Sequence, residues 1–190
     1  MSSVWLVAMM SLSAITTLSR LADIGPAPPT IMVNSSGKLF DLTSLKGKVV
    51  IVSFVYTTCN GTCPATTLTL SRVQKVLRQA KLWGTSVEFV SISLDPERDT
   101  PDVLKRYAEL FNADLANWNF LTGSRSDVQS VIAAWGMWAR IGPSGALDHP
   151  SRIFLLDPQG HQREIYNLEF LKTETVIQDV KELLAEVSKN

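Results

Sequence analysis

Cys59 and Cys63 are the only cysteines in the chain, and they stand four residues apart in Tyr56-Thr57-Thr58-Cys59-Asn60-Gly61-Thr62-Cys63-Pro64. A bond between them would close so small a loop that it would add little stability. A disulfide-stapled scaffold spreads more cysteines along its length. The pair is therefore chemical in character rather than structural, and two inert buried thiols are the lesser reading. Residues i and i+4 face one way on a helical turn, so both sulfurs can converge on one small, soft ion. Thiolates select Cu(I), zinc or iron–sulfur centres over hard cations. Two thiolates leave a coordination position open, and the chain offers two histidines for it, His149 and His161. An isolated His is more often a surface residue than a ligand, so each needs a geometric argument.

That argument depends on the elements around them. Lys48 to Val55 contains VVIVSFV, the continuous β-branched run of a strand buried on both faces. The cysteines follow it in a loop that leads into a helix expected from about Ala65 to Trp83, with Val73, Val76, Leu77 and Ala80 as its buried stripe. In an open α/β sheet, ligands bind beyond the carboxyl ends of the strands. The positive end of a helix also favours a thiolate there.

Val87 to Leu94 reads as the next strand. Thr100-Pro101 opens a second helix whose inner face is expected at Val103, Tyr107, Leu110 and Phe111. Trp118 to Leu121 is a third strand, and Val128, Val131, Ile132, Trp135 and Trp138 mark a third helix. Ile153 to Leu156 and His161 to Tyr166 flank Asp157-Pro158-Gln159-Gly160, whose residue order is type I turn chemistry, so the pair is antiparallel. Val176, Val180, Leu183, Leu184 and Val187 trace a C-terminal helix. A hairpin is also expected at Asn34 to Gly37. This order predicts an α/β protein with a mostly parallel sheet, an antiparallel edge hairpin, and helices on both faces, which is compatible with a thioredoxin-like core.

The two histidines then separate. His149 precedes the strand Ile153 to Leu156, whereas His161 starts the partner strand beyond the turn. The seven residues from His149 to Leu156 span roughly 23 Å when extended, so both imidazoles cannot reach one metal. This argues against a Cys2His2 structural zinc site. It leaves a three-ligand centre of Cys59, Cys63 and His149, which suits copper and keeps a face open for transfer, with His161 as a solvated turn residue.

Composition sets the frame. The chain has 190 residues, 45% hydrophobic and 19% charged, which befits one globular domain with a short appendage. Eighteen basic residues balance eighteen acidic ones, so nothing in the bulk charge draws nucleic acid or an anionic membrane. Met1 to Ser19 carries no charged side chain and many apolar ones. It reads as an export or anchor segment, although it lacks the basic start and small-residue cleavage site of a standard signal. The expected division is a signal or membrane-anchor segment at 1–22, a Pro-rich linker at 23–30, and the copper-binding domain at 31–190.

Four ordered motifs resemble one family. Tyr56 to Pro64 (YTTCNGTCP), Ser91 to Pro101 (SISLDPERDTP), Asn119 to Ser124 (NFLTGS) and Asp148 to Gly160 (DHPSRIFLLDPQG) are similar to the Sco/SenC copper chaperones, over nearly the whole chain from about Ile24. The resemblance implies a thioredoxin-like fold and binding of Cu(I) or Cu(II) by two cysteines and one histidine. It also implies copper-donor and copper-recipient partners, with a cytochrome c oxidase subunit as recipient. The family's ligands fall on Cys59, Cys63 and His149. The expected location is the cell envelope, on the periplasmic side of the inner membrane, with the mitochondrial inner membrane as the lesser alternative. Asp95 matches an acidic position often near the site, while Asp99 or Thr100 is expected to cap the second helix.

Two departures stand out. Arg140 to Asp148 is shorter than the tyrosine-containing loop common in the family, and Asn60-Gly61 replaces the usual proline after the first cysteine. The competing function is a thiol–disulfide oxidoreductase in which Cys59 and Cys63 are catalytic. Against it, the spacing is C-x3-C rather than C-x-x-C, and His149 would go unexplained. A peroxiredoxin-like peroxidase and a pure interaction module, the latter presenting Trp135, Met137 and Trp138, are weaker alternatives.

Overall fold

A computed structural model describes residues 20–142 and 146–187. The expected export or anchor segment, Met1 to Ser19, lies outside the described residues. Ten strands and four helices follow in order. They are β1 (Gly25–Pro26), β2 (Ile31–Asn34), β3 (Leu39–Asp41), β4 (Val49–Val55), α1 (Thr62–Gln79), β5 (Val87–Ser93), α2 (Pro101–Leu110), β6 (Trp118–Thr122), α3 (Arg125–Ala134), β7 (Arg140–Ile141), β8 (Leu147–Asp148), β9 (Ile153–Leu156), β10 (His161–Tyr166) and α4 (Thr173–Val187). No helix among the described residues is long and apolar enough to cross a membrane.

The main sheet runs β1-β10-β9-β4-β5-β6-β2-β3. Its parallel pairings are the two at the centre, β4–β5 and β5–β6. Both flanks are antiparallel, so the sheet is more mixed than a single edge hairpin implied. Alternate residues of β4 feed two cores. Val49 and Ile51 pack with Leu70, Val73 and Leu77 of α1, Leu104 of α2 and Val176 of α4. Val50, Val52 and Phe54 pack with Val128, Val131 and Ile132 of α3. That two-sided burial is why the strand reads as an unbroken apolar run.

Helix details differ from the periodicity reading in places. α1 begins at Thr62, three residues before the expected Ala65, because a proline is tolerated within a first turn whose N–H groups lack intrahelical partners. The helix ends at Gln79, leaving Ala80 exposed. Leu104, Tyr107 and Ala108 form the inner face of α2, while Leu110 is 78% exposed. The small Ala108 side chain lets the helix approach on that face. Trp135 and Met137 are buried as core, but Trp138 lies beyond α3 and is partly exposed beneath the Arg140 guanidinium. On α4 the described side chains Val176, Val180 and Leu183 are buried; the side chain of Val187 lies outside the described ones.

Ile24 to Thr30 is extended but anchored. Gly25 and Pro26 pair with β10, and buried Thr30 accepts a 2.9 Å bond from the Trp135 indole. Before it, Leu21 is buried, and Arg20 pairs with the buried Asp179.

Candidate metal centre

Strand direction brings the candidate residues together. The cysteine loop leaves the C-terminal end of β4. Strand β9 pairs antiparallel with β4, Val52 opposite Phe154 and Val50 opposite Leu156. Moving forward along β4 therefore means moving back along β9, toward Ile153 and then His149. The start of β9 sits beside the end of β4, so the two loops meet.

His161 is carried to the opposite end. The turn Asp157 to Gly160 closes with Gly160 N–H donating to Asp157 O at 2.9 Å, Gly160 taking the positive φ of 86° that glycine adopts freely. That turn lies next to Gly47, whose N–H donates to Pro158 O at 2.8 Å, before β4 begins. His161 there pairs with Asp23 at 2.9 Å.

At the meeting point, Cys63 Sγ and His149 Nε2 are 3.8 Å apart. His149 Nδ1 is 2.9 Å from the carbonyl oxygen of Pro150, which can only accept, so Nδ1 carries the proton and Nε2 presents its lone pair. With bonds of about 2.3 Å to sulfur and about 2.0 Å to nitrogen, an ion bridging this edge would subtend roughly 120°, a trigonal angle. Among the described residues, no three His, Cys, Asp or Glu side chains stand ready-made around an ion. Two exposed residues, Asn60 and Gly61, follow Cys59 and allow its side chain room to turn inward.

Both cysteines are free thiols in different environments. α1 has no side-chain cap of the usual kind at Gly61. Instead Cys59 Sγ accepts the Gly61 N–H at 3.4 Å. Burial pushes the Cys59 thiol up, but the N–H groups of Cys63 and Gly61, with the Tyr56 hydroxyl, outweigh it and hold the thiol below its ordinary value. Cys63 is only 1% exposed, and burial pushes its thiol up to about 12, with the Cys59 and Asp99 charges adding to the effect. Because the thiolate is the nucleophile, Cys59 should be alkylated by iodoacetamide well before Cys63 at neutral pH. Mass spectrometry of the labelled peptide checks this, and equal labelling rates would contradict it.

Sequence reasoning missed two supporting residues. Buried Tyr56 donates from its hydroxyl to Leu147 O at 3.2 Å, and its ring meets the His149 imidazole edge-on, with centroids 5.7 Å apart and planes at 89°. Burial, helped by the nearby Cys59, keeps its phenol protonated well above the usual range. Asp99, expected as a helix cap, instead reaches into the cysteine loop. Its carboxylate accepts the Thr57 N–H at 3.2 Å, the Thr57 hydroxyl at 2.5 Å and the Ser93 hydroxyl at 2.6 Å. Thr100 is the cap of α2, and Asp95 pairs with Arg98 at 2.7 Å. The signal for Asp99 was present in the motif SLDPERDTP: three acidic residues stand beside one arginine and one capping Thr, which leaves acids with no assigned partner.

Comparison with known proteins agrees with this geometry. The SCO1/SenC family profile matches residues 28–185. A SCO1 protein homolog of Bacillus subtilis is 33% identical over 157 residues, covering 80% of each chain. The copper-bound ScoI of Bradyrhizobium japonicum superposes with a TM-score of 0.71 at 29% identity, covering 83% of this chain and 99% of that one. BsSco, a Sco-family cytochrome c oxidase assembly protein in which a disulfide switch was identified, gives a TM-score of 0.74 at 29% identity. That match covers 87% of this chain and 98% of the other. The fold is accordingly thioredoxin-like, as expected.

Proposed function

Since the chain belongs to the SCO1/SenC family, we propose that it is a copper chaperone of cytochrome c oxidase assembly, holding its cargo between Cys59, Cys63 and His149. The observation that carries this reading is the 3.8 Å approach of His149 Nε2 to Cys63 Sγ, with Nδ1 already committed to Pro150 O. Two thiolates and an imidazole make a soft, three-point donor set. Its third arm, Cys59, sits on a loop with exposed neighbours, so the ion can enter and leave from that side. Such a site releases copper readily to a partner's thiols. The proposed recipient is a copper-accepting oxidase subunit, supplied in turn by a copper-donor protein. Met1 to Ser19, uncharged and largely apolar, supports placement in the cell envelope, exported or anchored so that the domain faces the periplasm.

The dithiol also supports a redox role. A partly exposed Cys59 of depressed pKa beside a buried Cys63 is the asymmetry of an exchanging pair. Exchange with a partner's disulfide, which would leave as two thiols, would join Cys59 and Cys63 in a disulfide and withdraw both sulfur ligands, so the redox state would gate the cargo.

Competitive titration of the reduced protein with Cu(I) should find one ion per chain. Because Cys63 must lose its proton to bind, affinity should rise about tenfold per pH unit for each proton displaced. The disulfide form should bind none. Equal binding by the two forms would overturn the proposal.

A further inference from the structure

We propose that Tyr56 is the positioning residue of this centre, a single side chain that couples the cysteine loop to the histidine loop and sets where the His149 imidazole points. Its backbone belongs to one loop: Tyr56 O accepts the Cys59 N–H at 3.1 Å, closing the turn that carries the first sulfur. Its side chain belongs to the other, with the hydroxyl on Leu147 O at 3.2 Å and the ring perpendicular to the imidazole.

Among its described residues, the histidine loop makes few internal contacts that fix the ring. Its hairpin pairs two residues with two, Arg140 with Asp148 and Ile141 with Leu147, and an isolated two-stranded ribbon is marginal in water. Of its two paired apolar residues, Ile141 is 79% exposed and Leu147 packs only partly against the core. The His149–Pro150 hydrogen bond sets the tautomer but is internal to the loop. Beyond His149, Arg152 donates to Gly136 O at 3.1 Å and holds the far side. Tyr56 is the contact that holds the near side, against the sulfurs, and at 6% exposure it is locked between the two loops. Where the loop is too short to brace its own histidine, the brace comes from the residue three before the first cysteine.

This inference rests on His149 as a ligand, so its test has a metal-free arm. In reduced, copper-free protein, Tyr56→Leu removes both contacts and should move the His149 ring-proton resonances away from their wild-type positions. Tyr56→Phe keeps the ring contact, loses the hydrogen bond, and should move them less. With copper, Tyr56→Leu should weaken binding about 10- to 100-fold, the range for removing an outer-shell partner of a metal ligand, and Tyr56→Phe by a smaller factor. In a His149→Ala background the Leu substitution should cost much less, keeping only the part that the Tyr56 hydroxyl exerts on the Cys59 thiol. Unchanged His149 resonances in Tyr56→Leu would overturn the proposal. So would an equal loss of affinity with and without His149, which would mean that Tyr56 acts through the fold or through Cys59 and not through the imidazole. If His149→Ala alone left copper affinity intact, the ligand assignment would fail, while the ring resonances would still decide the role of Tyr56. Tyr56→Phe preserves volume and guards against a Leu variant that simply misfolds.

Discussion

Cys63→Ala should lower copper affinity by far more than about 100-fold, the upper end of what losing an outer-shell partner costs, and should leave the fold nearly intact. In the proposed centre Cys63 is the cysteine whose sulfur meets the imidazole, 3.8 Å from His149 Nε2, and its N–H group helps to hold the Cys59 thiol below its ordinary value. Removing it leaves His149 without its sulfur neighbour, whereas removing Cys59 leaves the Cys63–His149 edge in place. The structural cost is small because one sulfur is lost from a buried helical position, about 1 kcal/mol. Its backbone carbonyl continues to accept from Thr67 Oγ1 at 2.9 Å. Chelator competition measures the affinity and thermal melting the fold. Retained tight binding in the variant would mean that the ion sits elsewhere.

Trp118→Ala should do the reverse, costing about 3–5 kcal/mol of stability while leaving the copper-to-protein ratio of the folded fraction unchanged. Trp118 starts β6, pairs with Phe89 and is fully buried. Its ring lies 5.2 Å from Phe89 and 5.3 Å from Phe120, and its indole donates to Ser91 Oγ at 2.9 Å. The substitution leaves a large void in the core shared by α1, α2 and α4. Ser91 keeps its 2.8 Å bond to Ser53, so the loss is mainly packing. In a domain of this size the melting temperature should fall by roughly 10 °C or more. A shift of only a degree or two would show that this core is less tightly coupled than its burial implies.

Much of this was legible in the chain itself, for identifiable reasons. VVIVSFV announces a doubly buried strand because both faces of β4 are covered. Asp157-Pro158-Gln159-Gly160 announces the antiparallel hairpin, which puts the two histidines at different places along it; the antiparallel pairing of β9 with β4 then sends His149 toward the cysteines and His161 away. What sequence pattern could not resolve was side-chain partnership between distant loops. Tyr56 was read only as the first residue of the cysteine motif, and Asp99 as a cap; their targets, Leu147 and Thr57, are 91 and 42 residues away. Stripe assignments failed where two choices differ by one residue. Val103 and Leu110 were as periodic as Leu104 and Ala108, and only packing against the sheet decides between them. Pro64 was read as the boundary of α1, yet it sits inside the first turn, which places Cys63 on the helix rather than before it.

The central claim is that two sulfurs and one imidazole close on a single copper ion, and copper K-edge X-ray absorption on the loaded protein tests it most directly. The expected first shell holds two sulfur scatterers and one nitrogen, with the nitrogen and its imidazole multiple scattering lost in His149→Ala. A shell of sulfur alone, identical in the wild type and in that variant, would contradict the three-ligand centre and leave a simple dithiol in its place.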